Sequence, residues 1–338
     1  MSIPYHLRPN KAVDRSLFMD LLRMLSGGLR LKDYTYIGMG GPFLGDFKEL
    51  HSVTGITNMH SIESEEWIYQ RQKLNKPLSC IQLHNMDSTQ FINEEIEEIL
   101  SEKNVIVWLD YVNSMLGEQM DDIAKLTAKL GDKDILKVSL SAAASQFNCI
   151  NEFKIVHDPI NGCQQQRLSE EDVLSLRRDK LALKTCIPGD LENKDLNNQN
   201  FPIALIKILR STVESSIQDH LTVQPLGFYI YRDGVRMLTV TFIVLRKTTN
   251  LDEFLEANRL NEWLLSNLSW NDSPHVIEMP VVSPIEKFQI DSHYPRESSD
   301  PIPEFGFRLD EKIEKNEKIF KEYTKFYKYL PAYSKVDL

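Results

Sequence analysis

The sequence predicts an α/β fold of three layers, in which helices cover both faces of a doubly wound, mostly parallel β-sheet. Three observations support this prediction. Five short apolar runs alternate with single helical segments between positions 34 and 142, which is the pattern of consecutive βαβ units. The run 105–109 is apolar throughout, as expected for a central parallel strand buried on both faces. Further along, Asp233-Gly234 separates two β-rich runs, a strong signal for an antiparallel hairpin of strands six and seven.

The alternating region predicts five strands with one helix between each pair. The strands are predicted at 34–40, 57–64, 79–85, 104–111 and 134–142. The helices between them are predicted at 44–53, 65–75, 91–102 and 117–131. Because neighbouring parallel strands need a crossover connection, we expect these helices to pack on the two faces of the sheet.

The rest of the chain is less regular. An N-terminal helix is predicted to end near Gly27-Gly28, where its helical spacing of apolar residues stops. Further helices are predicted at 168–185, 201–221, 251–268 and 309–330. The segment 186–200 is expected to be an exposed loop, and the proline-spaced segment 274–303 is expected to be irregular or edge structure.

These elements suggest three parts of the chain. Residues 1–32 form an N-terminal helical lead, and residues 33–250 form the central domain, with an insertion at about 143–200. Residues 251–338 form a C-terminal helical and irregular extension.

Composition and charge narrow the classes of protein. The 338 residues are 42% hydrophobic and 26% charged, a mixture typical of soluble globular proteins. No run of about 18 apolar residues is present, so no membrane-spanning helix is predicted. The polar N-terminus lacks the apolar core of a signal peptide, which favours a cytoplasmic location. The cysteines are widely spaced and form no CxxC pair, so we expect reduced thiols at Cys80, Cys149, Cys163 and Cys186.

The N-terminal lead is locally basic. Its first 32 residues carry six Lys or Arg and two Asp, a net charge of +4, whereas the whole chain has a net charge of −10. Nucleic-acid binding would therefore depend on this helix, because the charge of the whole chain repels phosphate. We expect Arg8, Lys11 and Arg15 to lie on a solvated helix face. The alternative is that they cover a site or hold a substrate phosphate.

The last predicted helix is charged and aromatic. Phe320, Tyr323 and Tyr327 fall on one of its faces, so this face is expected to dock onto the domain or onto a partner, including a second copy of the chain. Lysines and glutamates interleave along the helix, which is more typical of an ion-paired helix than of a nucleic-acid-binding stripe.

Residues suited to an adenosine-containing ligand stand at or just after the carboxyl ends of four consecutive predicted strands, and a doubly wound sheet binds its ligand beyond those carboxyl ends. Glycines, which allow a close approach of the backbone, follow the first strand, and an acid at the usual offset for ribose recognition follows the second. After the third strand, a methionine is suited to cover a purine and a carboxylate to accept a hydrogen bond from an exocyclic amine. An Asp-Tyr pair follows the fourth. In chain order these residues are Gly38, Gly40, Gly41, Glu63, Met86, Asp87, Asp110 and Tyr111.

This arrangement resembles the class I S-adenosylmethionine-dependent methyltransferases over roughly residues 33–246, including the hairpin. The segments YIGMGG, SIES and VWLDY are also similar to bacterial proteins of uncharacterised activity that carry an O-methyltransferase label. The resemblance implies S-adenosylmethionine as the cofactor, with the three glycines at its methionine part. It implies Glu63 at the ribose, Met86 and Asp87 at the adenine, and Asp110 and Tyr111 as catalytic or substrate-positioning residues.

The chain departs from this pattern in three places. Tyr36 replaces the acid that usually stands two residues before the first glycine, and Pro42 replaces the third glycine. Asp110-Tyr111 lacks the prolines of the strand-four motif of amino-methyltransferases. These departures motivate an alternative function, a catalytically degenerate methyltransferase fold that acts as a scaffold or sensor in a multi-protein assembly.

Two other classes of site are disfavoured. A nicotinamide dehydrogenase needs a glycine five residues after the first, where this chain has Phe43. No metal site is predicted, because the eight histidines show no metal-ligand spacing and because Ser141 and Ala142 replace the acid and amide of a magnesium-dependent enzyme. The acceptor of the methyl group stays open: a small molecule, a protein or a nucleic acid.

Overall fold

The structure, a computed structural model, describes residues 8–111, 115–147, 153–158, 162–183, 185–296 and 299–330, with the backbone alone at 153–158 and 162–167. Its strands are β1 (Thr35–Gly38), β2 (Asn58–Ile62), β3 (Ile81–His84), β4 (Val105–Asp110), β5 (Ile135–Ser141), β6 (Phe153–Asp158), β7 (Gly162–Arg167), β8 (Leu221–Arg232), β9 (Arg236–Arg246) and β10 (His275–Ile277).

The helices begin with α1 near the N-terminus and end with α11 near the C-terminus. They are α1 (Pro9–Leu25), α2 (Gly45–Thr54), α3 (Glu66–Asn75), α4 (Ser88–Glu94), α5 (Ile96–Glu102), α6 (Leu116–Lys129), α7 (Glu170–Ala182), α8 (Phe201–Ser216), α9 (Leu251–Ala257), α10 (Pro284–Asp291) and α11 (Ile313–Phe326). Among these, none is both long and apolar enough to cross a lipid bilayer.

Eight strands form one sheet in the order β10-β8-β9-β5-β4-β1-β2-β3. Strands β1 to β5 pair in parallel, and β9 pairs antiparallel with both β5 and β8. Strand β10 adds to the edge of the sheet in parallel with β8. The doubly wound, mostly parallel sheet and its antiparallel strand 6–7 hairpin, here β8 and β9, are therefore confirmed.

Strand β4 lies in the middle of this sheet, and all six of its residues are buried. It pairs with β1 on one side and β5 on the other, so its apolar side chains enter the cores on both faces. Because β1 to β4 run in the same direction, their carboxyl ends meet at one edge of the sheet. That edge is where the predicted site residues were expected.

Two predicted helices are interrupted by local backbone geometry. The helix predicted at 91–102 is two helices, α4 and α5, separated at Glu95. The helix predicted at 251–268 ends at Ala257, because Arg259 adopts a left-handed conformation with φ of 55° that cannot continue an α-helix. Each break occurs at a single residue, and the helical spacing of apolar residues continues across it in the sequence. That spacing alone therefore predicted one uninterrupted helix in both places.

Three further corrections concern segments with weak sequence patterns. The segment 186–200 is not simply an exposed loop, since it contains a short 3₁₀ turn and buries Leu191 and Leu196. The segment 274–303 includes the edge strand β10, as expected, and also α10, whose capping box of Ser283 and Glu286 was missed. The insertion contains a separate two-stranded hairpin of β6 and β7.

Helix α1 packs into the sheet through buried ionic contacts. Lys137 on β5 pairs with Asp14 at 2.9 Å, and both side chains are fully buried. Thr239 on β9 donates a hydrogen bond of 2.6 Å to the other oxygen of Asp14. The Asp233 carboxylate of the predicted hairpin turn accepts from the backbone N–H of Lys11 at 2.7 Å, so this turn also caps α1.

Helix α11 packs against the rest of the chain through its aromatic face. Phe320, Tyr323 and Phe326 are buried in one core with residues of α1, β8 and β10. The expected docking of this face onto the domain is thus observed, with Phe326 more deeply buried than the half-buried Tyr327. A partner or second copy at this helix stays a prediction.

A pair of histidines bridges β2 and β3. Nδ1 of His60 lies 3.0 Å from Nε2 of His84, and the two rings stack. Burial lowers the pKa of His60 to about 4, with a further contribution from His84. Burial also lowers the pKa of His84. Both rings are therefore held neutral in the folded protein.

We expect Lys137→Met to lower the free energy of unfolding by about 3–5 kcal/mol, because it leaves the buried Asp14 carboxylate without its cation. Asp14→Leu combined with Lys137→Met should recover a large part of that loss, since no unpaired buried charge remains. Urea denaturation of the three proteins measures both effects. The exposed pair Arg30–Asp33 supplies the control, and Arg30→Ala should change stability by less than about 1 kcal/mol. A Lys137→Met protein as stable as this control would contradict the prediction.

The histidine pair predicts a loss of stability in mild acid. The unfolded chain takes up a proton near the ordinary histidine pKa of about 6.5, whereas folded His60 resists protonation down to about 4. Stability from this group is therefore present above about pH 6.5 and falls as the pH is lowered toward 4. Thermal unfolding of His60→Gln should show a shallower decline over that window than the unmodified protein. The exposed His220→Gln should keep the original slope, and equal slopes in all three proteins would exclude the effect.

Candidate active site

A cavity of about 670 Å³ opens at the carboxyl ends of β1 to β4. Its size is in the range of ordinary small-molecule sites. Six of the eight predicted site residues line it: Gly41, Glu63, Met86, Asp87, Asp110 and Tyr111. The structure therefore brings together residues from four separate strand ends, as the alternation predicted.

Gly38 and Gly40 do not line this cavity, so their contact with a ligand stays a prediction. A Cβ on Gly38 would lie 2.5 Å from the hydroxyl of Tyr36, and a Cβ on Gly40 would lie 2.4 Å from Leu44. Both glycines are thus required by packing within the chain. Gly41 does line the cavity and has a positive φ of 53°, a conformation that glycine adopts at little cost.

Tyr36 occupies the position of the usual acid, and its role is in the core. Its side chain is 1% exposed and packs edge-to-face on Phe47 at 4.9 Å between ring centroids. The backbone at the end of β1 therefore packs against the buried ring of Tyr36.

Glu63 follows β2 and lies half-buried in the cavity wall. Its Oε1 accepts a hydrogen bond of 2.9 Å from the backbone N–H of Glu65. Burial raises the pKa of Glu63, opposed by hydrogen bonds from the backbone of Glu65 and Ser64. The bond fixes one carboxylate oxygen and leaves acceptor capacity for a ligand hydroxyl.

Asp87 lies at the rim and caps helix α4. Its Oδ1 accepts from the backbone N–H of Gln90 at 2.8 Å, which is a standard helix-capping bond. The adjacent Met86 is half-buried and packs against the main core while lining the cavity. The capping bond and the ligand-facing position are compatible, because a carboxylate accepts several hydrogen bonds.

Asp110 ends β4 and receives two cations from α1. Lys11 Nζ lies 3.0 Å and Arg15 Nη2 lies 3.3 Å from its Oδ2. Burial on its own raises the pKa of Asp110. The charges of Lys11 and Arg15, together with hydrogen bonds from Lys11 and Ser139, outweigh burial and hold that pKa well below its usual range. Asp110 is therefore a fixed negative charge in the cavity.

The basic residues of α1 thus differ from the expected solvated face. Lys11 is 5% exposed and Arg15 is 3% exposed. Arg15 also makes a two-bond contact with Asp46 on α2, at 2.5 and 3.0 Å. The reason is that the carboxylates of Asp46 and Asp110 supply counter-charges at the sheet edge, so burial of these cations is compensated. Of the three, Arg8 alone is only half-buried, and it lines the cavity.

Tyr111 is buried at the cavity wall and donates a hydrogen bond of 3.0 Å to Asp122 Oδ2. Burial, and then the charge of Asp122, raise the pKa of Tyr111 well above its ordinary value. The phenol thus stays protonated, and its ring forms part of the cavity boundary. The segment 112–114 that follows Tyr111 lies outside the described residues.

Lys11 lines this cavity, in agreement with the alternative that it covers a site and against the expected solvated helix face. Asp122 also lines the cavity and was not predicted as a site residue. Asp122 lies inside the predicted helix at 117–131, next to the equally acidic Asp121. The available signal was its place on the face shared with Ile123 and Leu126, which is buried in the structure.

The wall of the cavity is acidic and partly apolar. Among the described residues that line it, six are acidic and two, Arg8 and Lys11, are basic. Apolar side chains contribute as well: Met39, Ile62, Ile68, Met86 and Met115. In the described part of the chain, no group of three or more His, Cys, Asp or Glu is placed to bind a metal ion. Such a wall suits an organic ligand with positive charge, hydroxyls and a flat apolar portion.

The cysteine positions add nothing to the site. Cys80 and Cys186 are free thiols outside the cavity wall. Cys149 and the side chain of Cys163 lie outside the described residues.

Comparison with known proteins gives one match over nearly the full chain. The family model described as "Putative O-methyltransferase" matches residues 3–338. No curated protein shows a significant match.

Solved structures of methyltransferases are similar to the chain at low identity. Trm1 from Pyrococcus horikoshii, in complex with S-adenosyl-L-methionine, is 13% identical with a TM-score of 0.42, over 73% of this chain and 58% of that chain. The chain thus spans little more than half the length of Trm1. N-methyltransferase NodS from Bradyrhizobium japonicum WM9 is 11% identical with a TM-score of 0.38, over 69% of this chain and 97% of that chain.

The family match agrees with the observed architecture. The sheet order, the reversed strand β9 and the cavity beyond four parallel strand ends are those expected for the class I methyltransferase fold. The chain belongs to the family described as "Putative O-methyltransferase".

Proposed function

We propose that the cavity beyond β1 to β4 binds S-adenosylmethionine and that the methyl group passes to an oxygen of an acceptor held beside Asp110. The observation that carries this proposal is the convergence of Gly41, Glu63, Asp87 and Asp110 on one cavity. The family description supports oxygen as the acceptor atom.

The residues present fit this cofactor chemically. Gly41 brings the bare backbone to the end of β1, and Glu63 offers a carboxylate to ribose hydroxyls at the end of β2. Met86 and Asp87 offer an apolar surface and an acceptor for the base. The excess of acidic residues in the wall favours a ligand that carries a sulfonium cation. S-Adenosylmethionine would supply a methyl carbon in line with the acceptor oxygen: as the carbon–oxygen bond forms, the carbon–sulfur bond breaks, the sulfur keeps the electron pair as an uncharged thioether, and the hydroxyl proton passes to solvent water.

Asp110 is suited to a positioning role. A base must accept a proton near the working pH, and the low pKa of Asp110 makes it a weak proton acceptor. Its fixed charge, held by Lys11 and Arg15, is suited to orient an acceptor hydroxyl by accepting its hydrogen bond. Tyr111, with its raised pKa, bounds the acceptor space as a protonated ring. Alignment of nucleophile and methyl group supplies a large part of the rate enhancement in reactions of this kind.

Cofactor binding is tested by isothermal titration calorimetry with S-adenosylmethionine and with S-adenosylhomocysteine. We expect both to bind with sub-millimolar Kd, and Glu63→Ala to weaken them roughly tenfold or more, because a carboxylate accepting ligand hydroxyls is lost. The matched control is Glu102→Ala, an exposed carboxylate at the C-terminus of α5 outside the cavity wall, which should bind normally.

The absence of binding by both ligands would contradict the proposal and would favour the scaffold or sensor alternative. Equal affinities of the Glu63→Ala and unmodified proteins would contradict the assigned role of Glu63 alone.

The paired cations of Asp110 predict an unusual pH profile. In the unmodified protein, Asp110 stays ionised, so the rate should show no titration of Asp110 above about pH 5. Lys11→Met removes one of the two charges that lower the pKa of Asp110 while burial still raises it. Its activity should therefore fall on the acid side. The measurement is the pH dependence of labelled methyl transfer from S-adenosylmethionine into small-molecule, protein and RNA fractions of a cell extract.

The control for this experiment is Lys32→Met, which removes an exposed lysine near the N-terminal end of β1. It should keep the original profile. If the activity of all three proteins falls equally at low pH, Lys11 does not set the pKa of a group on which the rate depends, and the prediction is contradicted.

A further inference from the structure

Asp122 on α6 is a buried carboxylate in the wall of the cavity. It is 2% exposed and accepts three hydrogen bonds, all from hydroxyl groups. Ser88 Oγ donates to its Oδ2 at 2.6 Å, and Thr89 Oγ1 donates to its Oδ1 at 2.7 Å. Tyr111 Oη donates to its Oδ2 at 3.0 Å. Three donors directed at one carboxyl group match its ionised form, which only accepts hydrogen bonds.

The acceptor capacity of this carboxylate is not filled. Two ionised oxygens offer about four acceptor positions, and the three hydroxyls occupy two on Oδ2 and one on Oδ1. Among the described residues, no basic side chain pairs with Asp122. A buried charge of this kind is costly unless further donors satisfy it. The unfilled acceptor position is on Oδ1 of Asp122, and this residue lines the cavity.

A second buried carboxylate, Asp134, illustrates a carboxylate whose hydrogen bonds serve the fold alone. Asp134, at the amino edge of the sheet, is 3% exposed and also accepts three hydrogen bonds. Its donors are the backbone N–H groups of Val105 and Gly131 and the amide of Asn104, at 2.7 to 2.9 Å. Asp134 lines no part of the cavity beyond β1 to β4. The two groups have the same number of bonds, and only Asp122 borders a ligand-sized space.

We propose that Asp122 is a ligand-binding carboxylate that accepts an N–H hydrogen bond from the bound adenosyl ligand, with Ser88, Thr89 and Tyr111 setting its orientation. This inference rests on the proposed function. An N–H donor is favoured because the ribose hydroxyls are assigned to Glu63, which leaves the amino groups as the remaining donors of the ligand. The base amine is the expected source, since Ser88 and Thr89 directly follow Met86 and Asp87, and its two N–H groups can serve both Asp87 and Asp122. The α-ammonium of the amino-acid part is the other source of the same chemistry.

Three ligands separate these sources by calorimetry. S-Adenosylhomocysteine carries both N–H groups, S-inosylhomocysteine lacks the base amine, and 5′-methylthioadenosine lacks the amino-acid part. If the base amine is the donor, the unmodified protein binds S-adenosylhomocysteine at least about tenfold tighter than the inosyl compound. Asp122→Asn then weakens S-adenosylhomocysteine and 5′-methylthioadenosine several-fold, leaves the inosyl compound nearly unchanged and so reduces the preference by the same factor, while Asp87 can retain a part of it.

If the α-ammonium is the donor, Asp122→Asn weakens S-adenosylhomocysteine and the inosyl compound together and leaves 5′-methylthioadenosine nearly unchanged. Equal weakening of all three ligands, or no change in any, overturns the inference. The comparison within the unmodified protein needs no variant. If it binds all three ligands equally, the inference is overturned even where Asp122→Asn fails to fold.

Asp134→Asn is the matched control. It perturbs a carboxylate with the same burial and bond count, so it is expected to lower the thermal unfolding temperature and to leave all three affinities unchanged. A loss of ligand preference in Asp134→Asn would show that the effect of Asp122→Asn is general destabilisation, and would overturn the inference. Failure of the unmodified protein to bind any of the ligands is a different outcome, since it contradicts the proposed function itself.

Discussion

The architecture of this site depends on charge pairing between α1 and the carboxyl edge of the sheet. Three cations pair with three carboxylates there. The cations are Lys11 and Arg15 on α1 and Lys137 on β5, and the carboxylates are Asp14, Asp46 and Asp110. The three positive and three negative charges balance within a buried region. Such a cluster tolerates burial only while every member keeps its partner, because an unpaired charge in this environment costs several kcal/mol. The N-terminal helix is therefore part of the structure that holds the site.

This pairing has a direct consequence for chemistry. Asp110, at the end of the central strand, is held ionised by residues that are 95 and 99 positions earlier in the chain. Its charge faces the cavity as a fixed feature, which fits a residue that orients an acceptor better than one that removes its proton. Trp108 on the same strand also stabilises these cations. The centre of its ring lies 5.0 Å from Cζ of Arg15 and 4.3 Å from Nζ of Lys137, within the range of cation–π contacts. The cations are thus held by carboxylates and by an aromatic face together.

Much of the fold followed from local patterns. The five strand and helix units and the hairpin at Asp233-Gly234 were predictable because periodicity and turn chemistry are properties of neighbouring residues. Where a single residue interrupts a helix, as at Glu95 or Arg259, the same patterns failed. The gathering of Glu63, Met86, Asp87, Asp110 and Tyr111 at one cavity was predictable too, since parallel strands bring their ends together. The individual roles of these residues remain proposals.

The sequence by itself determined the class of fold, the alternation of strands and helices along the chain and which residues stand at the strand ends. The tertiary structure alone decided which side chains meet. It buries Lys11 and Arg15 against Asp110, assigns Gly38 and Gly40 to packing, and gathers three hydroxyls on Asp122. Periodicity and turn signals act between residues close in the chain, and so they can be read from sequence. Charge pairing and hydroxyl contacts depend on which distant groups share one low-dielectric space, and only the folded chain defines that space.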